Sequence, residues 1–155
     1  MLSGSVAMGI YVIPRATRDF DIVALIQEKD IDDFAKAFKT GFYCEPDAIK
    51  DAIKNHGLFN IIDFESGYKA DFVILKNTEY RQEEFSRRKA IDFWGKQIYV
   101  VTAEDLLLSK LIWIQDLQSS IQQEDIRQLA QLENLDIAYI HKWINKLQLQ
   151  TFNLL

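Results

Sequence analysis

Apolar and polar positions change period several times along the chain, and each change marks an element. From Asp19 to Ile26 the order Asp, Phe, Asp, Ile, Val, Ala, Leu, Ile opens in alternation, which predicts a strand with one acidic edge. Residues 30–39 (DIDDFAKAFK) and 46–56 (PDAIKDAIKNH) carry helical apolar spacing, with Pro46 suited to a first helical turn and Gly57 to a stop. Phe59–Phe64 and Tyr68–Leu75 are β-rich runs joined by Glu65-Ser66-Gly67, a hairpin signal. After a charged helical stretch from Thr78 to Arg88, the runs Ala90–Trp94 and Gln97–Val101 flank Gly95-Lys96 and predict a second hairpin. Thr102-Ala103-Glu104-Asp105 resembles a capping box opening a Leu-rich helix to about Gln115, and further helices are expected near 119–132 and 136–147.

Strands interleaved with helices and then a helical final third predict an α+β (mixed α/β) fold, a mixed twisted sheet flanked by helices. At 155 residues the chain suits one domain, with 1–101 as the sheet-containing core and 102–155 as a helical tail packed on it. Trp94, Trp113, Tyr139 and Trp143 are expected to pack in the core rather than stack on bases.

The net charge of −5 turns the reading away from a protein that neutralises many duplex phosphates. No apolar run reaches the ~20 residues of a membrane span, and the first residues lack the pattern of a signal peptide, so a cytoplasmic location without membrane association is expected. A single cysteine, Cys44, and two distant histidines, His56 and His141, disfavour zinc. Any metal here is expected to be hard and bound by oxygen.

The chemistry-bearing candidates are acidic. Asp19 and Asp21 leave the same strand face with Cα atoms about 7 Å apart, and the face continues into Val23 and Leu25. Asp71 repeats this pattern on another strand, sharing a face with Val73 and Leu75. Should the strands pair with these faces aligned, three carboxylates converge to hold Mg²⁺ or Mn²⁺ against phosphate oxygens. A solvated strand face is the plainer reading of any one D-x-D. Upstream, Gly4-Ser5 leads into Val6–Tyr11, a helix opening at Ser5 whose amides would face an anion. Arg15 and Arg18 lie beside the acidic strand, either as phosphate ligands or as surface ion-pair partners of Asp19 and Asp21. Lys110 has Leu106, Leu107, Trp113 and Ile114 as helical neighbours, and Asp125 stands four residues from both Ile121 and Leu129. Two charges on apolar faces are expected to meet, as a structural ion pair or as an extension of the site.

Gly4-Ser5, thirteen residues, Asp19-Phe20-Asp21 and a later lone Asp71 resemble the G-S-x(n)-D-x-D signature of the nucleotidyltransferase superfamily related to DNA polymerase β. The Arg15–Asp21 string, Phe85–Arg88, Glu104–Leu111 and the Ser-rich turn leading to Asp125 are similar to small bacterial nucleotidyltransferase-like proteins, distant relatives of AbiEii-type toxins. The resemblance implies a nucleotidyltransferase fold, with Asp19, Asp21 and Asp71 as catalytic metal ligands, Gly4 and Ser5 at the triphosphate, and Lys110 and Asp125 in the active site. It implies metal-dependent transfer of a nucleoside monophosphate from a nucleoside triphosphate to an acceptor hydroxyl on RNA, protein or a small molecule. Such proteins carry a helix and most of a strand before Gly-Ser, whereas here the motif starts three residues from Met1. Two expectations follow as alternatives: the true start lies upstream, or a sheet edge is shortened or missing and open to a second copy or a cognate protein. The alternative function is a catalytically quiet toxin–antitoxin or regulatory module that retains the fold, and a weaker one is a nucleotide sensor without turnover.

Overall fold

The computed structural model describes every residue from Met1 to Leu155. In chain order the elements are β1 (Leu2–Ser3), α1 (Gly4–Met8), β2 (Asp19–Ala24), α2 (Ile31–Ala37) entered through a 3₁₀ turn at Glu28–Asp30, β3 (Phe42–Tyr43), α3 (Pro46–Asn55), β4 (Leu58–Asp63), β5 (Lys69–Ile74), α4 (Glu79–Ser86), β6 (Lys89–Phe93), β7 (Lys96–Val100), α5 (Ala103–Trp113), α6 (Ser120–Ala130) and α7 (Ile137–Leu147). All strands join one seven-stranded sheet in the order β3-β4-β5-β2-β1-β7-β6. It is mixed, because β2 pairs with β5 and β1 with β7 in parallel while the other pairs are antiparallel. This is the mixed α/β architecture expected from the interleaved periods. No helix is long and apolar enough to cross a membrane.

The period-2 alternation assigns each strand residue a side. Phe59, Ile61, Phe72 and Ile74 are buried in a cluster with Ile49 and Ala52 of α3, and Phe34 of α2 packs edge-on against Phe59 and Phe72. Asp19, Asp21, Asp71 and Val73, of opposite parity, therefore face away from α2 and α3. The larger core lies around α5, where Leu106, Leu107, Leu108 and Leu111 meet Ala7 and Met8 of α1, Val100 of β7, Ile126 and Leu129 of α6, and Ile140 and Trp143 of α7.

Helix α5 is so enclosed that its polar residues must find partners inside. Thr102 caps it by accepting from the Asp105 amide. The fully buried Asp105 carboxylate accepts from Thr102 Oγ1 at 2.6 Å, Tyr139 Oη at 2.6 Å and Arg87 Nε at 3.0 Å. Arg87 also lies 3.8 Å over the Tyr139 ring. One carboxylate thus ties α4, α5 and α7 together. A second buried acid, Glu84, accepts from Arg81 at 2.8 Å and from Ser109 at 2.6 Å, and burial still pushes its pKa up.

Three expectations need correction. The short N-terminal strand is not an edge: β1 lies inside the sheet between β2 and β7, and the Met1 ammonium donates to Val23 O at 2.8 Å. The edges are β3 and β6, and Lys89 and Asp92 place charges on β6. The second hairpin turns at Trp94-Gly95 rather than Gly95-Lys96, because both central residues carry positive φ, 51° and 74°, as a two-residue primed turn requires. That geometry throws Trp94 into solvent at 91% exposure, and Trp113 at the end of α5 is 67% exposed, so neither packs in the core. Tyr139 and Trp143 do.

Asp105→Ala is expected to cost about 3–5 kcal/mol, because it strands the Arg87 charge and the Tyr139 hydroxyl; urea unfolding at unchanged m-value measures it. Trp94→Asn, which installs the residue preferred at a left-handed turn position, is expected to leave stability unchanged or raise it by up to about 1 kcal/mol in the same assay.

Candidate functional site: an acidic sheet face under a buried lysine

The site begins with strand register. In the parallel pair β2·β5, Asp19 stands beside Lys69 and Asp21 beside Asp71. On the other flank of β2, Ser3 stands beside Asp21, so the chain leaves β1 directly over that carboxylate. Gly4 follows with φ +61°, and a Cβ there would fall 1.7 Å from Asp21 Oδ2. Glycine is required here twice, by backbone conformation and by the approach of the acid. The pairing that the sequence leaves open is present in the sheet, so Asp19, Asp21 and Asp71 share one face.

Their charges are only partly balanced. Lys69 Nζ lies 2.9 Å from Asp71 Oδ2 and 3.7 Å from Asp19 Oδ1. Asp71 Oδ1, by contrast, is shielded from solvent and has no hydrogen-bond partner. Burial raises the Asp21 pKa, the Asp71 charge raises it further, and Lys110 and Lys69 oppose them. No three His, Cys, Asp or Glu side chains are gathered closely enough to close a metal site as they stand.

Above the acids lies a chain of polar contacts. Lys110 on α5 and Asp125 on α6, both almost fully buried, meet at 2.7 Å, and Lys110 also donates to Gln122 Oε1 at 3.0 Å. Asp125 accepts from Arg15 Nε at 3.3 Å and Nη2 at 3.2 Å, and the same Nη2 donates to Ser5 Oγ at 2.5 Å. Of the expected apolar neighbours, Leu106, Leu107 and Ile114 beside Lys110 and Leu129 beside Asp125 are buried, whereas Trp113 and Ile121 are 67% and 57% exposed.

Several expectations change. Helix α1 runs from Gly4 to Met8 rather than from Ser5 to Tyr11, and Ser5 is engaged by Arg15 instead of capping it. Five residues give α1 too little length for a useful helix dipole. Neither Arg15 nor Arg18 pairs with Asp19 or Asp21, because Arg15 is drawn to Asp125 and the Arg18 side chain makes no hydrogen bond or ion pair. Lys69 and Gln122 belong to the site and were not singled out from sequence. Lys69 was legible in principle, since it precedes Asp71 by two positions on the same strand face.

Beside the Arg15–Asp125 pair opens a cleft of about 460 Å³, lined by Ser5, Met8, Arg15, Ile121, Glu124 and Gln128 among others. It meets the acidic face through Ser5 and Arg15 but is not lined by Asp19, Asp21 or Asp71. Comparison of the chain with protein-family models and with curated proteins finds no match.

Gly4→Ala is expected to cost about 1–3 kcal/mol from left-handed backbone alone, with a further loss as Asp21 is displaced; chemical denaturation reads both together. Because the fold disfavours ionised Asp21, its destabilising effect is absent below the ordinary Asp range and complete above the raised pKa. Metal-free Asp21→Asn is therefore expected to melt roughly 2 °C or more above wild type at pH 7, and the gap should close as pH is lowered toward 4.

Proposed function

We propose that the chain has a nucleotidyltransferase fold and moves a nucleoside monophosphate from a nucleoside triphosphate to an acceptor hydroxyl with the help of Mg²⁺ or Mn²⁺. The observation that carries this reading is the Gly4–Asp21 approach beside Asp71, whose Oδ1 is shielded and unpartnered. An all-carboxylate donor set suits a hard divalent cation, and the unpartnered oxygen is a ligand already desolvated for one. Asp19, Asp21 and Asp71 share one face without closing on a common point, so they would have to draw together to hold the ion, which would supply charge neutralisation along the triphosphate.

The remaining roles fall to the chain's own groups. Asp71 takes the acceptor's proton as the acceptor oxygen bonds to the α-phosphorus and the bond from that phosphorus to pyrophosphate breaks. Lys110, held by Asp125 and Gln122, keeps a buried positive charge against the acids where negative charge grows. Arg15 is aimed by Asp125 at Ser5, at the junction between the acidic face and the cleft. The cleft lies in the size range of small-molecule sites and gives the nucleoside or acceptor a place to lie.

A second reading has its own observation. Lys69 already neutralises Asp19 and Asp71, as in a catalytically quiet module that keeps the fold and acts through a cognate protein. One assay separates the two. Thermal melting with Mg²⁺ and each of the four common triphosphates should show a shift of several degrees for at least one, with pyrophosphate release falling at least 100-fold in Asp21→Ala. Absence of any shift and of any pyrophosphate would favour the quiet module.

A further inference from the structure

Every ionic contact of the metal-ligand candidates on the sheet face is made by one side chain. Lys69 comes from the same strand as Asp71 and lies across from Asp19 on β2, so its ammonium reaches both acids without leaving the face. Its side chain is about one third exposed, while that of Asp71 is 20% exposed. Lys110, the other cation acting on Asp21, is nearly buried and anchored by Asp125 and Gln122. The two lysines therefore differ in kind: Lys110 is fixed, and Lys69 is free to swing outward on a flexible stem.

We propose that Lys69 is an internal counter-ion that a divalent cation displaces, so that occupation of Asp19 and Asp71 by Lys69 and by metal are mutually exclusive. The inference rests on the metal-binding reading above. Asp71 offers Oδ1 free and Oδ2 to Lys69, and Asp19 offers its nearer oxygen to Lys69 as well. A cation that drew in both acids would sit against the ammonium, and two like charges at that separation repel strongly in a partly desolvated site. Lys69 thereby keeps the acids compensated without metal and sets the threshold of metal activity at which the site fills. Ordinary surface ion pairs have no such effect, because they do not share their carboxylates with another ligand.

The test is Mn²⁺ binding to the full-length protein, followed by the electron paramagnetic resonance of free Mn²⁺ without nucleotide. Lys69→Met is expected to bind Mn²⁺ at least tenfold more tightly than wild type, and Lys69→Arg, which restores a cation, to return toward wild-type affinity. Binding by Lys69→Met but not by wild type supports the inference equally. Equal or weaker binding by Lys69→Met overturns it while leaving the metal-binding reading intact, whereas no binding by any form, with all folded by circular dichroism, overturns both. Should Lys69→Met fail to fold, acetylation of Lys69 in wild type by acetic anhydride, quantified by peptide mass spectrometry, decides the matter. Faster acetylation with Mg²⁺ supports displacement, and an unchanged or slower rate overturns it.

Discussion

The parallel register of β2 and β5 sets Asp21 beside Asp71 and is the constraint from which the rest of the site follows. Two carboxylates on neighbouring strands, facing a helical layer rather than open water, are unfavourable unless cations answer them. The chain answers from two directions. Lys69 reaches in along the sheet, and Lys110 comes down from α5, where Asp125 and Gln122 accept from its buried Nζ. Asp125 in turn holds Arg15, and Arg15 holds Ser5. A single pairing register thus commits residues from α1, β2, β5, α5 and α6 to one electrostatic balance.

What was legible in the sequence is what periodicity and local chemistry encode. The Asp19–Asp21 and Asp71–Val73 alternation fixed which side each acid takes, and the structure agrees because the opposite parity carries Phe72 and Ile74 into a tight aromatic cluster. The meeting of Lys110 and Asp125 was also legible, since a charge with leucine neighbours on a helix needs a partner. Their counterpart Lys69 was legible only in part: its shared parity with Asp71 is readable, but its place opposite Asp19 depends on the register of β2 and β5. Strand pairing is a non-local property, and a one-residue slip would have sent Lys69 to the other face.

The misplaced aromatics follow from the same distinction. Trp94 stands at the tip of a hairpin whose turn type depends on backbone angles, not on hydrophobicity, and the positive φ values at Trp94 and Gly95 turn the ring outward. The short β1 strand was misread for a topological reason. Its two residues look like a remnant of an edge, yet their neighbours on both sides make them a bridge between the acidic half of the sheet and the β6·β7 hairpin. The position of Gly4 over Asp21 depends on that bridge, because only a strand locked beside β2 delivers the next residue so close to the carboxylate.

Helix α5 couples the stability of the molecule to the geometry of the site. It carries Asp105, which ties α4 and α7 to it, and Lys110, which meets Asp125 and acts on Asp21. Five positions apart, these residues point about 140° from each other around the helix. Each therefore serves a different neighbour, and leucines fill the space between them. A buried charge at either position demands fixed partners, so the helix has little freedom to rotate or slide. The Asp105 network consequently sets how far Lys110 stands from the acids, although it touches none of them. A site whose cation must sit at a defined depth gains from being hung on the most constrained helix in the molecule, while the cation that must move, Lys69, stands on the same sheet face as the acids with its side chain about one third exposed.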